Sequence, residues 1–201
     1  MADAAAPFTK LTDTPLADVA QLGELGEDAR GLLPGATAPE GFVDSLIQAG
    51  LFDDAERYLA NAMRPREGVW WACLAARAFA EFGGQLSPAD QAALAAAEAW
   101  VFKPDEDNRR AAHERAMATQ FSNPAAWAAM AAFWSGGSMA PPNLPAVPPP
   151  PNAFGRAVWG AVAIAVGMNA KSPADLEARH RRFLAEGFDI ARGGNGRVEP
   201  G

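Results

Sequence analysis

Two histidines, His113 and His180, one cysteine, Cys73, and a short run of arginines are the residues here whose chemistry could reach beyond solvation. Their spacing assembles no familiar reaction centre. His113-Glu114 is followed by Arg115, Ala116 and Met117, so the second histidine of a zinc-binding helix is missing. One cysteine with two histidines cannot complete a Cys/His zinc set, and it cannot form an internal disulfide. No P-loop, no G-x-G-x-x-G and no G-x-S-x-G string occurs in the chain. Cys73 lies between Ala72 and Leu74, an apolar setting that raises a thiol's pKa and leaves it inert. His180 falls in the apolar stripe of a helix and reads as a partnered histidine at the core edge; His113 reads as a surface residue. The expectation is no catalytic residue, no metal and no cofactor.

The polar pair best placed to bind something is Arg66-Glu67, directly ahead of Trp70-Trp71. Glu67 suits the positive end of a helix, and Arg66 can pin a neighbouring element, so capping and binding readings both stand. Arg179 to Arg182 is the densest basic run, but Asp175, Glu177 and Glu186 sit four residues from its members, the pattern of a solvated helix face. A net charge of -7 opposes long-range attraction to nucleic acid or anionic lipid. That charge is uneven. Residues 1–60 hold eleven acids against Lys10, Arg30 and Arg57, whereas no Asp or Glu occurs between Glu114 and Asp175. Residues 1–38 therefore read as a partly ordered acidic arm, either simply solvated or docking a basic partner. An acid near the start, with no leucine-rich segment after it, predicts a cytoplasmic protein.

The elements that must position these groups are helices. The chain has 47 alanines and only 17 Val, Ile and Thr together, which is thin material for a sheet. Ser87-Pro88-Ala89-Asp90 and Ser172-Pro173-Ala174-Asp175 repeat one start signal: a serine cap, proline at the first helical position and an acid in the first turn. Gly50, Gly83-Gly84 and Gly193-Gly194 are stops. Eight helices are predicted, over about 39–49, 52–63, 66–82, 88–103, 105–121, 124–134, 153–169 and 173–192, with a weaker one at 15–23. In the second, Leu51, Ala55, Tyr58, Leu59, Ala62 and Met63 form the buried stripe while Asp53, Asp54, Glu56 and Arg57 point away. In the fifth, Asp105 with Arg109 and Glu106 with Arg110 predict a solvated face.

Trp71, Trp100, Trp127 and Trp159 recur at intervals of 29, 27 and 32 residues. That spacing leaves open two all-α architectures, an irregular bundle or a degenerate helix-hairpin (TPR-like) array. Residues 39–192 form one domain, with a flexible tail at 193–201. The uncharged part of the 153–169 helix is too short to cross a bilayer and is expected to be central, with peripheral membrane association through residues 153–170 as an alternative. Residues 135–152 hold seven of the 17 prolines. They predict a stiff polyproline strap held down by Met139, Leu144 and Val147. Formal P-x-x-P spacings leave a ligand-motif reading open beside it.

Three strings carry a resemblance: Gly50-Leu51-Phe52-Asp53-Asp54-Ala55, Arg66-Glu67-Gly68-Val69-Trp70-Trp71 and Phe133-Trp134-Ser135-Gly136-Gly137-Ser138-Met139-Ala140-Pro141-Pro142. Over about residues 39–170 the chain resembles a bacterial family of unknown function bearing RE-x-VWW and FWSGGS-x-APP motifs. Gly68 stands where that motif is expected to hold alanine. Some members accompany type VI secretion genes, so the resemblance implies an accessory protein of a bacterial assembly; it supplies no catalytic residues. Function is thus expected to be non-enzymatic interaction, as an adaptor or scaffold with protein partners and no nucleic acid. The rival is a small-molecule binder or enzyme whose tryptophan-lined pocket also holds Arg66, Glu67 and Arg77.

Overall fold

A computed structural model describes residues 7–197. They form ten α-helices: α1 (Leu16–Leu22), α2 (Glu27–Gly31), α3 (Pro39–Gln48), α4 (Phe52–Ala62), α5 (Pro65–Glu81), α6 (Pro88–Phe102), α7 (Glu106–Met117), α8 (Pro124–Trp134), α9 (Ala153–Gly167) and α10 (Pro173–Arg192). The fold is all-α. Among the described residues the only extended pairing is a single bridge between Leu11 and Met63.

The start signals work as local chemistry dictates. The Ser87 hydroxyl accepts from the Asp90 amide while the Asp90 carboxylate accepts from the Ser87 amide, a reciprocal cap. Ser172 repeats the first half of this with Asp175. α10 ends at Gly193, whose φ of 101° is a left-handed conformation that costs glycine little. The fifth predicted helix stops four residues early, because Phe121 adopts a positive φ of 56° and the Thr119 hydroxyl bonds back to the Ala116 carbonyl. α2 is too short to show periodicity and was not anticipated.

α5, α8 and α9 pack pairwise into a central trio; α6 and α7 lie on α8, α4 lies on α9, and α10 lies on α4, α5 and α9. A linear hairpin stack confines contacts to neighbouring repeats, and α5 against α9 spans most of the domain. The bundle alternative therefore describes the architecture. The tryptophan spacing marks no repeat either: Trp71 and Trp100 are core residues, whereas Trp127 and Trp159 are only half-buried. Alanine allows the close approach of the trio, with Ala75, Ala128, Ala132, Ala161 and Ala165 fully buried. Gly68 belongs to the same scheme, since a Cβ there would stand 2.7 Å from the Phe154 ring of α9.

Residues 7–38 are joined to this body. Lys10 N donates to Ala191 O at 2.9 Å, Arg64 N donates to Lys10 O at 3.0 Å, and Thr12 N donates to Ala62 O at 2.8 Å. The segment therefore crosses between the ends of α10 and α4, and Leu11, Val19, Ala20, Leu25 and Ala29 are buried. At the other end Gly196 N donates to the Asp189 carboxylate at 2.8 Å. The outermost parts of the expected arm and tail, residues 1–6 and 198–201, lie outside the described residues.

The proline-rich segment differs from the expected strap. Met139 N donates to Val147 O at 2.7 Å and Val147 N donates to the Ser138 hydroxyl at 3.0 Å, so residues 138–147 close on themselves as a loop. A closed loop turns its tip outward. Of the three supposed pegs only Met139 packs against the core; Leu144 is 55% exposed and Val147 47%.

Candidate functional sites

Two surface clefts and one buried acid–base pair gather the groups with chemical potential. The first cleft, about 520 Å³, brings together Arg66, Glu67, Trp70 and Arg77 from α5 with Lys10, Glu98, Phe102 and Asn195. α5 supplies four of these because residues 66, 67, 70, 74 and 77 share one helix face. Trp70 is half-buried and its indole N–H donates to Asn195 O at 2.8 Å. Arg66 Nε donates to Val101 O at 2.8 Å, which fixes the side chain across the end of α6. Arg77 is paired with Glu98 at 2.7 Å. Trp71 does not belong here. It is fully buried, with its N–H on Phe183 O at 3.0 Å, because successive residues on a helix point about 100° apart.

The second cleft, about 740 Å³, is walled by Trp127 and Trp134 of α8 and Trp159 of α9, with Pro150 at one edge. The charges on its rim are neutralised in pairs. Arg57 bonds Asp53 at 2.7 Å and lies 4.0 Å over the Trp159 ring; Trp159 N–H donates to the other Asp53 oxygen at 2.8 Å; Arg156 pairs with Glu24. Trp127 N–H donates to Phe121 O at 3.3 Å. The Trp134 N–H has no partner among the described residues.

Beside this cleft the FWSGGS stretch has a structural explanation. Arg109, 4% exposed, donates to Phe133 O at 2.6 Å and Ser138 O at 2.7 Å, and Arg110 donates to Ser138 O at 3.0 Å. Both arginines also bind Glu106, whose carboxyl is held down at about 2, chiefly by the Arg109 hydrogen bond. Arg109 thus clamps the root of the proline-rich loop to α7. The expectation of a solvated Asp105–Arg109 pair is corrected: Asp105 caps α7 through Asn108 N and pairs with Lys103, while the Phe133 ring and Gly137 cover Arg109. His113 stacks on Phe133 at 4.1 Å.

The buried pair joins α4 to α10. Glu56 Oε1 lies 2.7 Å from His180 Nδ1, Glu56 is fully buried, and its Oε2 has no hydrogen-bond partner. Glu56 was expected to point away from the core; His180, stacked on Phe52, covers it instead. Burial pushes the Glu56 carboxyl up to about 7. Burial opposes charge on His180, but its bond to Glu56 together with the negative charges of Glu56 and Asp53 outweighs that and raises its pKa. His180 is the partnered core-edge histidine expected from its stripe. Cys73 is buried, and desolvation drives its thiol far above the ordinary range.

Lys10, Glu98 and Asn195 escaped sequence reasoning as site residues, since the hydrogen bond that seats Trp70 spans 125 residues. Among the described residues no cluster of His, Cys, Asp and Glu has metal-holding geometry, and no helix is long and apolar enough to cross a membrane. No curated protein and no solved structure matches the chain. The expected family resemblance holds: the chain belongs to the family of unknown function DUF6931, whose model spans residues 42–191.

Proposed function

We propose that this protein works by recognition, as a cytoplasmic adaptor or accessory component of a larger bacterial assembly. The observation that carries the reading is the open cleft walled by Trp127, Trp134 and Trp159, beside a loop whose Leu144 and Val147 face solvent. Interfaces concentrate their energy in such half-buried aromatic anchors and deplete charge around them. Here the rim ions are already paired, and the chain from residue 116 to 155 carries no charged side chain. An uncharged apolar segment of a partner protein fits that surface. The resemblance to relatives that accompany type VI secretion genes supports a secretion machine as the assembly.

The test is affinity purification from the native host with the wild-type chain and a Trp134→Ala/Leu144→Asp variant as parallel baits. A partner enriched by the wild type and lost by the folded variant is the expected result. A wild-type chain that returns alone and monomeric overturns the adaptor reading.

A second reading, small-molecule binding, is favoured by the first cleft. That cleft gathers Arg66, Glu67, Trp70 and Arg77 of the residues a ligand pocket was expected to use, while Trp71 is buried apart from it.

A further inference from the structure

Among the described residues nine arginine and lysine side chains form ion pairs, among them Arg57 with Asp53, Arg77 with Glu98, Arg156 with Glu24, Arg179 with Asp175 and Arg182 with Glu81 and Glu186. Lys10 and Arg66 are different. Both line the first cleft, and neither has an acidic partner among the described residues. The backbone of Lys10 is clamped on both sides, by Ala191 O and by Arg64 N, and a Cβ on Gly193 would lie 3.6 Å from its Cε. Its stem is therefore seated over the end of α10. Arg66 spends Nε on Val101 O and keeps its terminal nitrogens, the pair that grips a carboxylate or phosphate with two parallel bonds. Glu67, in the first turn of α5, offsets one of these charges, and with Arg77 paired to Glu98 the cleft remains net positive, three cations against two acids.

The same cleft offers apolar faces that nothing covers. Trp70 is half-buried within it, and Phe102, at its edge and next to Val101, is 86% exposed. A volume of about 520 Å³ is of the size that holds small ligands. We propose that this cleft binds a small aromatic anion, a flat ring bearing a carboxylate or a phosphate, with Lys10 and Arg66 on the anionic group and the ring between Trp70 and Phe102. The proposal rests on the reading of the cleft as a ligand site and gives that site its ligand class.

Phenyl phosphate, phenylacetate, benzyl alcohol and inorganic phosphate, titrated into the full chain by calorimetry and NMR, separate the contributions. One of the two aromatic anions should bind one per chain, about tenfold or more tighter than benzyl alcohol and than inorganic phosphate, and weaken as salt is raised. The stronger of the two identifies the anionic group. A Lys10→Ala/Arg66→Ala variant and a Trp70→Leu variant, each checked for folding by circular dichroism, should lose about tenfold or more, while Trp159→Leu in the other cleft should not. Benzyl alcohol binding as tightly as the anions overturns the ligand class while leaving a ligand site. Absence of binding by every probe up to about 10 mM overturns the site itself. Neither result bears on the tryptophan-walled docking cleft.

Discussion

The two clefts are built from the same materials, tryptophan and arginine, and use them in opposite ways. Beside Trp159 the cations are consumed internally: Arg57 is shared between Asp53 and the indole face, and Arg156 goes to Glu24. Beside Trp70 only Arg77 is consumed, by Glu98, and Lys10 and Arg66 keep their charge for a visitor. A neutralised aromatic wall gains from excluding water against an apolar segment. A wall with unmatched cations gains only when the visitor brings an anion, since removing such cations from water unpaired is costly. The contrast also divides stability from recognition: cations consumed internally hold the fold, and cations held in reserve do not.

The largest test of that division is at the root of the loop beside the tryptophan cleft. Arg109→Ala removes a buried guanidinium and leaves Phe133 O, Ser138 O and the Glu106 carboxylate short of partners. A loss of about 3 kcal/mol in urea denaturation is expected, with faster hydrogen exchange around Trp134 and Met139. Arg110→Ala, whose residue shares Ser138 O and is less buried, should cost under about 1 kcal/mol. Equal costs would show that Arg109 is not the clamp and that this cleft wall is held by other means.

A test of intermediate size asks whether titration near neutrality acts through either cleft. It should act through Glu56 and His180. Both hold a proton more tightly folded than unfolded, Glu56 rising from 4.5 to about 7 and His180 rising above 6.5. Between about pH 4.5 and 7 the folded chain therefore binds more protons than the unfolded one, and stability falls as pH rises through that window. Above it a buried carboxylate stands with Oε2 unbonded. Glu56→Gln should flatten the profile and gain on the order of 1–3 kcal/mol over wild type at pH 8. Arg57 and Arg66 variants should retain the wild-type slope, and a Glu56→Gln chain with an unchanged slope would place the titration elsewhere.

What was legible in the sequence was local. Ser-Pro-Ala-Asp caps and glycine stops lie within a few residues of what they terminate, so the predicted helices correspond to α3 to α10, with α1 at the weaker position. What stayed hidden depends on distant segments. Helical spacing put Glu56 on the polar face of α4, and only His180, 124 residues on, makes that face interior. The i,i+4 rule paired Asp105 with Arg109, but the turn after α8 encloses Arg109 and gives its guanidinium to carbonyls. The proline count anticipated an irregular segment at 135–152 and missed that the Ser138 hydroxyl closes it into a loop. Arg66, Glu67, Trp70 and Arg77 were legible as a group because one helix face carries them. Lys10 and Asn195 come from segments at the two ends of the described chain, and no pattern within α5 points to them.

The smallest effects bear most directly on the division between the clefts. Arg57→Ala forfeits a partly exposed ion pair and a cation over an indole at 4.0 Å, together worth about 1 kcal/mol. It also leaves the Asp53 carboxylate with the Trp159 N–H as its remaining hydrogen-bond partner. Arg66→Ala forfeits one exposed hydrogen bond to Val101 O, and Lys10→Ala forfeits no ion pair; each should change stability by less than about 0.5 kcal/mol. Thermal and urea denaturation at low and high salt would separate the two sets. Salt should lower wild-type stability slightly through the Arg57 pair and leave the wild-type minus Arg66→Ala difference near zero. If Arg66→Ala instead costs as much as Arg57→Ala, Arg66 is a structural pin between α5 and α6, and the charge held in reserve beside Trp70 reduces to that of Lys10 alone.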